Sequence, residues 1–161
     1  MKRHASLHPL SQHHHFALIQ VWELRRALKL PAAERQKHVR TVARKFVRFW
    51  KNAGQIHFRE EEEVLLPAYA RHRRLDEDAN VMRMLAEHAI IRGLISSIAA
   101  SLEQGEVSED DVSKLAQTLH DHVRVEENEI FPRIEKTLSE DEMRAMGKGL
   151  HRLHKKGECA V

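Results

Sequence analysis

Two short stretches of the chain place an imidazole and a carboxylate four residues apart: His57-x-x-x-Glu61 and His122-x-x-x-Glu126. On an α-helix, residues at that spacing lie one turn apart on the same face, so each pair can converge on one point. The stretches also continue alike. His57-Phe58-Arg59-Glu60-Glu61-Glu62-Glu63-Val64-Leu65-Leu66-Pro67 parallels His122-Val123-Arg124-Val125-Glu126-Glu127-Asn128-Glu129-Ile130-Phe131-Pro132 at a constant offset of 65. Two more imidazoles, His14 and His88, precede them, one in each half, with nine extra residues in the first half that are placed in the connection around Pro31–Lys37. Imidazole is the commonest biological metal ligand, and 13 histidines are present. An internal repeat giving two His and one Glu per half suits a pair of metal ions bridged by the two carboxylates. Imidazole and carboxylate together suit iron, with zinc, manganese and copper as competitors.

These groups need helices to position them. Pro31, Pro67 and Pro132 read as helix terminators and Gly105 as a helix end. Ser108 before Asp111 and Ser139 before Glu142 read as helix starts. The expected helices are Pro9–Lys29, Glu34–Leu66, Asp78–Gln104 and Glu109–Phe131. A short fifth helix is expected over Glu140–His154, with a frayed tail after Gly157. Four long helices with short connections predict an all-α, antiparallel up-down-up-down four-helix bundle. The chain reads as one domain over 1–161 with its core at about 10–132.

Along each helix one face is apolar at steps of three or four. The first carries Leu10, His14, Ala17, Val21, Leu24 and Leu28; the second Val42, Phe46, Trp50, Ala53, His57, Glu61 and Val64. The third carries Val81, Leu85, His88, Ile91, Ile95, Ile98 and Leu102; the fourth Val112, Leu115, Leu119, His122, Glu126 and Ile130. The stripes are apolar except at six positions, all His or Glu. A buried carboxylate is costly unless it is paired or coordinates a metal, and no Lys or Arg shares the stripes. The six therefore predict a metal-binding layer of His14, His57, Glu61, His88, His122 and Glu126. His13 competes with His14 for the first position. Glu62 and Glu127 are placed to hydrogen-bond the ligating imidazoles. His120 is expected off the stripe, and His4, His8, His151 and His154 in solvent. Met82, Met84, Met143 and Met146 read as packing residues.

Composition narrows the rest. A chain of 161 residues with 5% aromatic and 32% charged residues, six Gly and four Pro has a helical profile. One cysteine, Cys159, excludes a disulfide framework and a thiolate metal site and predicts a reducing, cytoplasmic setting. The segment 1–15 is basic without an apolar centre, so no signal peptide is expected. No apolar run approaches the roughly 20 residues that span a bilayer. The net charge of +3 is scattered among acids without interleaved aromatics, so no nucleic-acid partner is expected.

The order His, His-x-x-x-Glu, His, His-x-x-x-Glu at His14, His57, Glu61, His88, His122 and Glu126 resembles the hemerythrin-like superfamily, specifically its bacterial HHE cation-binding members. The acidic, apolar and proline runs after His57 and His122 are similar to that family's signature, and the resemblance covers about Leu10 to Pro132. It implies two non-haem iron ions, one on His14 and His57 and the other on His88 and His122. Glu61, Glu126 and a solvent-derived oxo or hydroxo group would bridge them. It also implies a small ligand such as dioxygen or peroxide, for sensing, transfer or iron handling. The alternative is an enzyme with catalase-like or peroxidase-like activity. Two departures stand out. Oxygen-carrying relatives have a second third-helix His one turn from the first, whereas here Met84 and Arg92 flank His88 at that spacing. They also place an Asp five residues after the fourth-helix His, where this chain has Glu127 after the stripe residue Glu126. Both weigh against reversible oxygen carriage. The lack of an N-terminal Cys-Cys motif argues against the branch that repairs iron–sulfur centres, and a sensor role would need a separate protein partner.

Overall fold

The computed structural model describes residues 3–158, and every regular element among them is helical. Helix α1 is His8–Leu28, and α2 is a continuous helical run over 32–70. Helix α3 is Ala79–Glu103, α4 runs over 109–137, and α5 is Glu140–Glu158. Single 3-10 turns at Ala5–Leu7 and Leu75–Glu77 precede α1 and α3.

The boundaries reflect local chemistry. Pro31 holds the N-cap position of α2. The Asp78 carboxylate accepts the otherwise unpaired N–H groups of Asn80 and Val81 at 3.1 and 3.4 Å, capping α3. Ser108 accepts from Asp111 N–H at 3.1 Å, and Ser139 and Glu142 cap each other reciprocally. Helix α3 stops where Gly105 takes a φ of 82°. There the Glu106 N–H returns to the Ser101 carbonyl at 3.0 Å, and a residue with a Cβ would be strained.

Three sequence expectations need correction. Pro67 and Pro132 do not terminate helices: α2 continues to residue 70 and α4 to residue 137. Each proline comes after a π turn, Glu61–Leu65 or Glu126–Ile130, in which the N–H of Leu66 reaches Glu61 and that of Phe131 reaches Glu126. The wider turn admits the pyrrolidine ring where a regular helix would clash with it. Another π turn at Trp50–Gly54 lets the Trp50 indole lie against Gly54, where a Cβ would collide with it. Gly54 and Leu65 are buried where Ala53 and Val64 were expected, whereas Ile130 is buried as expected. The second correction concerns α5, which runs past His154 and past Gly157 to Glu158. Residues 159–161, Cys159 among them, lie outside the described residues. The third concerns α3, which is long enough to cross a membrane by length and composition, with a mean hydropathy of 1.3. Its inner face packs Val81, Met84, Ile91, Ile95 and Ile98.

Helix α1 packs on α2 and α4, and α3 packs on α2 and α4. The core has two apolar clusters. One gathers Val21, Leu24, Phe46, Phe58, Ile95 and Leu115; the other gathers Leu10, Leu65, Met84, Ile130, Phe131 and Met146. Helix α1 passes from Leu10 in the second cluster to Ala17 in the first, and α3 likewise from Met84 to Ile91. Helices α2 and α4 pass the other way, from Phe58 to Leu65 and from Leu119 to Ile130. All four helices change cluster at the same layer, which is polar.

Candidate metal centre

The six stripe residues meet in that layer. His14, His57, Glu61, His88, His122 and Glu126 are all buried, and both carboxylates have no exposed surface. Two donor groups form, His14, His57, Glu61 and Glu126 on one side and Glu61, His88, His122 and Glu126 on the other, each with its donor atoms within 4.8 Å. The two carboxylates belong to both groups, and they divide their oxygens between them. Glu61 turns Oε1 toward His57 Nε2 at 3.3 Å and His14 Nε2 at 3.7 Å, and Oε2 toward His88 Nε2 at 3.3 Å. Glu126 turns Oε2 toward His14 Nε2 at 2.9 Å. Its Oε1 faces His122 Nε2 at 3.0 Å and His88 Nε2 at 3.8 Å.

A family model described as Hemerythrin HHE cation binding domain matches residues 6–134. The chain belongs to the hemerythrin family. No curated protein and no solved structure matches it. A hemerythrin HHE domain implies a bound cation, and the donor atoms test whether this chain can hold one. Eight buried atoms — the Nε2 of His14, His57, His88 and His122 and all four carboxylate oxygens of Glu61 and Glu126 — have no hydrogen-bond partner. Unsatisfied buried polar atoms are rare in proteins. Here all eight point to one place, despite separations as short as 2.9 Å. These residues fit a cation, and zinc- or iron-type ions take just such imidazole and carboxylate donors.

The outer nitrogens fix the orientation of the inner ones. His14 Nδ1–H donates to Glu127 Oε1 at 2.7 Å, and His88 Nδ1–H donates to Glu62 Oε1 at 2.7 Å, as expected for Glu62 and Glu127. His122 Nδ1–H donates to Glu87 Oε2 at 3.2 Å. Each carboxylate is anchored in turn, Glu127 by Arg3, Glu62 by Arg92 and Glu87 by Arg83. Such partners set the tautomer so that Nε2 presents its lone pair inward. Rings seal the site: Phe58 stacks on His88 with centroids 3.6 Å apart, and Phe131 lies parallel to His14 at 5.3 Å.

Without a cation the charges rearrange. Burial opposes protonation of His14, yet the nearby Glu126, Glu127 and Glu61 raise its pKa well above 6.5. Burial likewise opposes protonation of His88, and Glu126 and Glu61 lift it to about 10. His122 is also raised, by Glu126 and Glu87 acting against its burial. His57 behaves oppositely even though Glu61 is 3.3 Å away: burial dominates and lowers it to about 3. Burial and the charge of Glu126 push Glu61 up, but His57, His14 and His88 outweigh them and hold it at about 2. Glu126 is held well below its usual range, its burial outweighed by His122, His14 and His88.

His14 is the α1 residue in the layer. His13 instead meets His57 from outside, Nδ1 to Nδ1 at 3.4 Å. His154, expected in solvent, stacks on His13 with centroids 5.3 Å apart and contacts Glu60 at 3.0 Å. Glu60, expected on a solvated face, is 3% exposed, and burial raises its pKa to about 7. Sequence reasoning missed Glu60, Glu87 and His154. Glu87 had a usable signal, being next to His88 and one turn after Arg83; His154 had none, because only the docking of α5 brings it here.

Proposed function

We propose that this hemerythrin-family protein is a non-haem di-iron protein that binds dioxygen or a related small molecule, for sensing, transfer or iron handling. The observation that carries it is the way Glu61 and Glu126 each give one oxygen to each histidine pair. That arrangement suits two cations bridged by two carboxylates. The ligands would be His14 and His57 on one ion and His88 and His122 on the other, within an antiparallel up-down-up-down bundle. The alternation of the two apolar clusters along the four helices supports that topology. When bound, the irons supply electrons to an oxygen-containing ligand. The chain supplies the orientation of four imidazoles, the fixed charge of two carboxylates and a wall of rings against water.

A cavity of about 40 Å³ adjoins His57, lined mainly by Phe16, Ala17, Phe46, Trp50 and Phe58. Its walls favour a small apolar molecule over water, which supports dioxygen as the ligand. Metal analysis of freshly purified protein with its visible spectrum, and anomalous scattering from crystals, test the reading. Two iron peaks a few ångströms apart between His57 and His122 are expected; a single peak, or zinc or manganese in their place, would overturn it.

One observation favours a second reading, turnover of peroxide. Neither neighbour of His88 one turn away offers an imidazole. Met84 is buried in the apolar cluster, and Arg92 is held by Glu62 and lies over Phe58 at 5.2 Å. The ion on that side would have one protein ligand fewer than in an oxygen carrier, and exchange at the open position favours reaction over storage.

A further inference from the structure

Three of the four central imidazoles donate Nδ1–H to a carboxylate, but His57 does not; its Nδ1 faces His13 at 3.4 Å. Behind His13 lies a separate polar cluster. Glu60 is buried, its side chain only 4% exposed, and its Oε2 has no hydrogen-bond partner. That oxygen lies 3.6 Å from His13 Nδ1, while Oε1 lies 3.0 Å from His154 Nδ1. No Lys or Arg pairs with Glu60 among the described residues, so its carboxylate is compensated only by imidazoles. His13 and His154 stack with an interplanar angle of 27°, and their side chains are 20% and 33% exposed. The donor atoms of His13, His57 and Glu60 lie within 4.8 Å of one another, and His154 adjoins that group through its 3.0 Å contact with Glu60.

We propose that His13, Glu60 and His154 form a third cation site, on the solvent side of His57 and distinct from the central layer. Two imidazoles and a carboxylate are a donor set for Zn²⁺, Fe²⁺ or Co²⁺, with the remaining positions left to water. The buried, unpartnered Glu60 oxygen is the ligand such an ion would satisfy, and the partly exposed histidines are the side by which it arrives. The internal repeat sharpens the assignment. The residue preceding His88 is Glu87 where the one preceding His14 is His13, and the residue preceding Glu126 is Val125 where the one preceding Glu61 is Glu60. Only the first half can build this site, and only α5 can complete it. A cation held there lies between solvent and His57, so the site would load the central pair. That loading role rests on the proposed central metal pair; the existence of the outer site does not.

The test is equilibrium dialysis of the metal-free full chain against Co²⁺, with metal analysis of the protein. The unmodified chain should take up three Co²⁺ per chain and His154→Ala two, the lost ion being the weakest bound. If the central layer binds no metal at all, the uptake should fall from one to none in His154→Ala, which separates the two claims. Should His154→Ala lose helicity by circular dichroism, His154→Gln retains a hydrogen-bonding side chain of similar length and should show the same loss. Fe²⁺ loading of the centre, followed by absorbance, should be slower in either variant and reach the same endpoint. Uptake unchanged by either substitution, or an unmodified chain that saturates at two Co²⁺, would overturn the outer site.

Discussion

Loading the centre with metal should expel protons, because the glutamates of the layer favour protonated imidazoles beside them. At pH 7 in the metal-free chain, His88, raised to about 10, carries a proton, and the glutamates facing His14 and His122 favour the protonated form of those rings as well. His57, lowered to about 3 by burial, does not. A metal binds only the neutral imidazole, so loading should displace the His88 proton together with any carried by His14 and His122. The overall constant for binding both ions should then rise by at least about tenfold per pH unit near neutrality. Calorimetry of metal binding in buffers of different ionisation enthalpy measures the release directly, as the slope of observed heat against buffer enthalpy. The pH dependence of stability has a definite sign. The raised imidazoles stabilise the metal-free fold fully below 6.5, and that contribution is lost as pH rises, up to about 10 for His88. The depressed Glu61 contributes above 4.5, and loses its contribution as pH falls toward about 2. His57 opposes its neighbours, contributing above 6.5 and losing its share as pH falls toward about 3. The metal-free chain should therefore lose stability above pH 6.5, and the gain in melting temperature on adding metal should widen from pH 6 to pH 8. A proton release near zero would refute the reasoning, because the imidazoles would then already be neutral before metal arrives.

The same geometry has other consequences. Glu61→Ala should lose both ions together, because its two oxygens face different histidine pairs, whereas His14→Ala should chiefly weaken one; metal analysis showing equal, independent losses would argue against bridging. Glu127→Gln and Glu62→Gln should each lower metal affinity by about 10–100-fold, measured by chelator competition, since each removes the charged acceptor of a 2.7 Å hydrogen bond from a central imidazole. The reduced iron protein should oxidise in air without a long-lived oxygenated spectrum, and Met84→His or Arg92→His should lengthen the life of any oxygen adduct. Repeated, reversible oxygenation of the unmodified chain would favour a carrier.

The polar layer was legible because burial makes periodicity and chemistry disagree. A stripe that steps by three or four through Leu10, Ala17 and Val21 has no structural use for His14, and the same holds for His88, Glu61 and Glu126. What was not legible lies where a local rule meets a tertiary or backbone exception. Pro67 and Pro132 obey the rule that proline ends a regular helix, but a π turn widens the backbone ahead of each, and nothing in side-chain periodicity announces a change from four to five residues per hydrogen-bonded turn. His154 sits in a mostly polar amphipathic segment after the repeat, and its contact with Glu60 depends on long-range docking. Glu60 itself sits within an acidic run of four whose members have four fates: Glu61 at the centre, Glu62 behind His88, Glu63 paired with Arg59 at the surface, and Glu60 behind His13.

The π turns at Glu61–Leu65 and Glu126–Ile130 also constrain how this sequence can change in length. A π turn is an α-helix carrying one surplus residue, and each here begins at a bridging glutamate. Deleting Glu63 or Asn128, both on the outer face, would restore regular geometry and leave all six central side chains in the chain. It would also bring the ring of Pro67 or Pro132 against the carbonyl four residues before it, the clash that the wider turn now avoids. A point substitution at either surface position should be borne easily, while loss of the same residue should not. The distance in sequence from carboxylate to proline is thus a ruler set by the wider turn that the ring needs, and relatives would be expected to vary in its letters but not in its length.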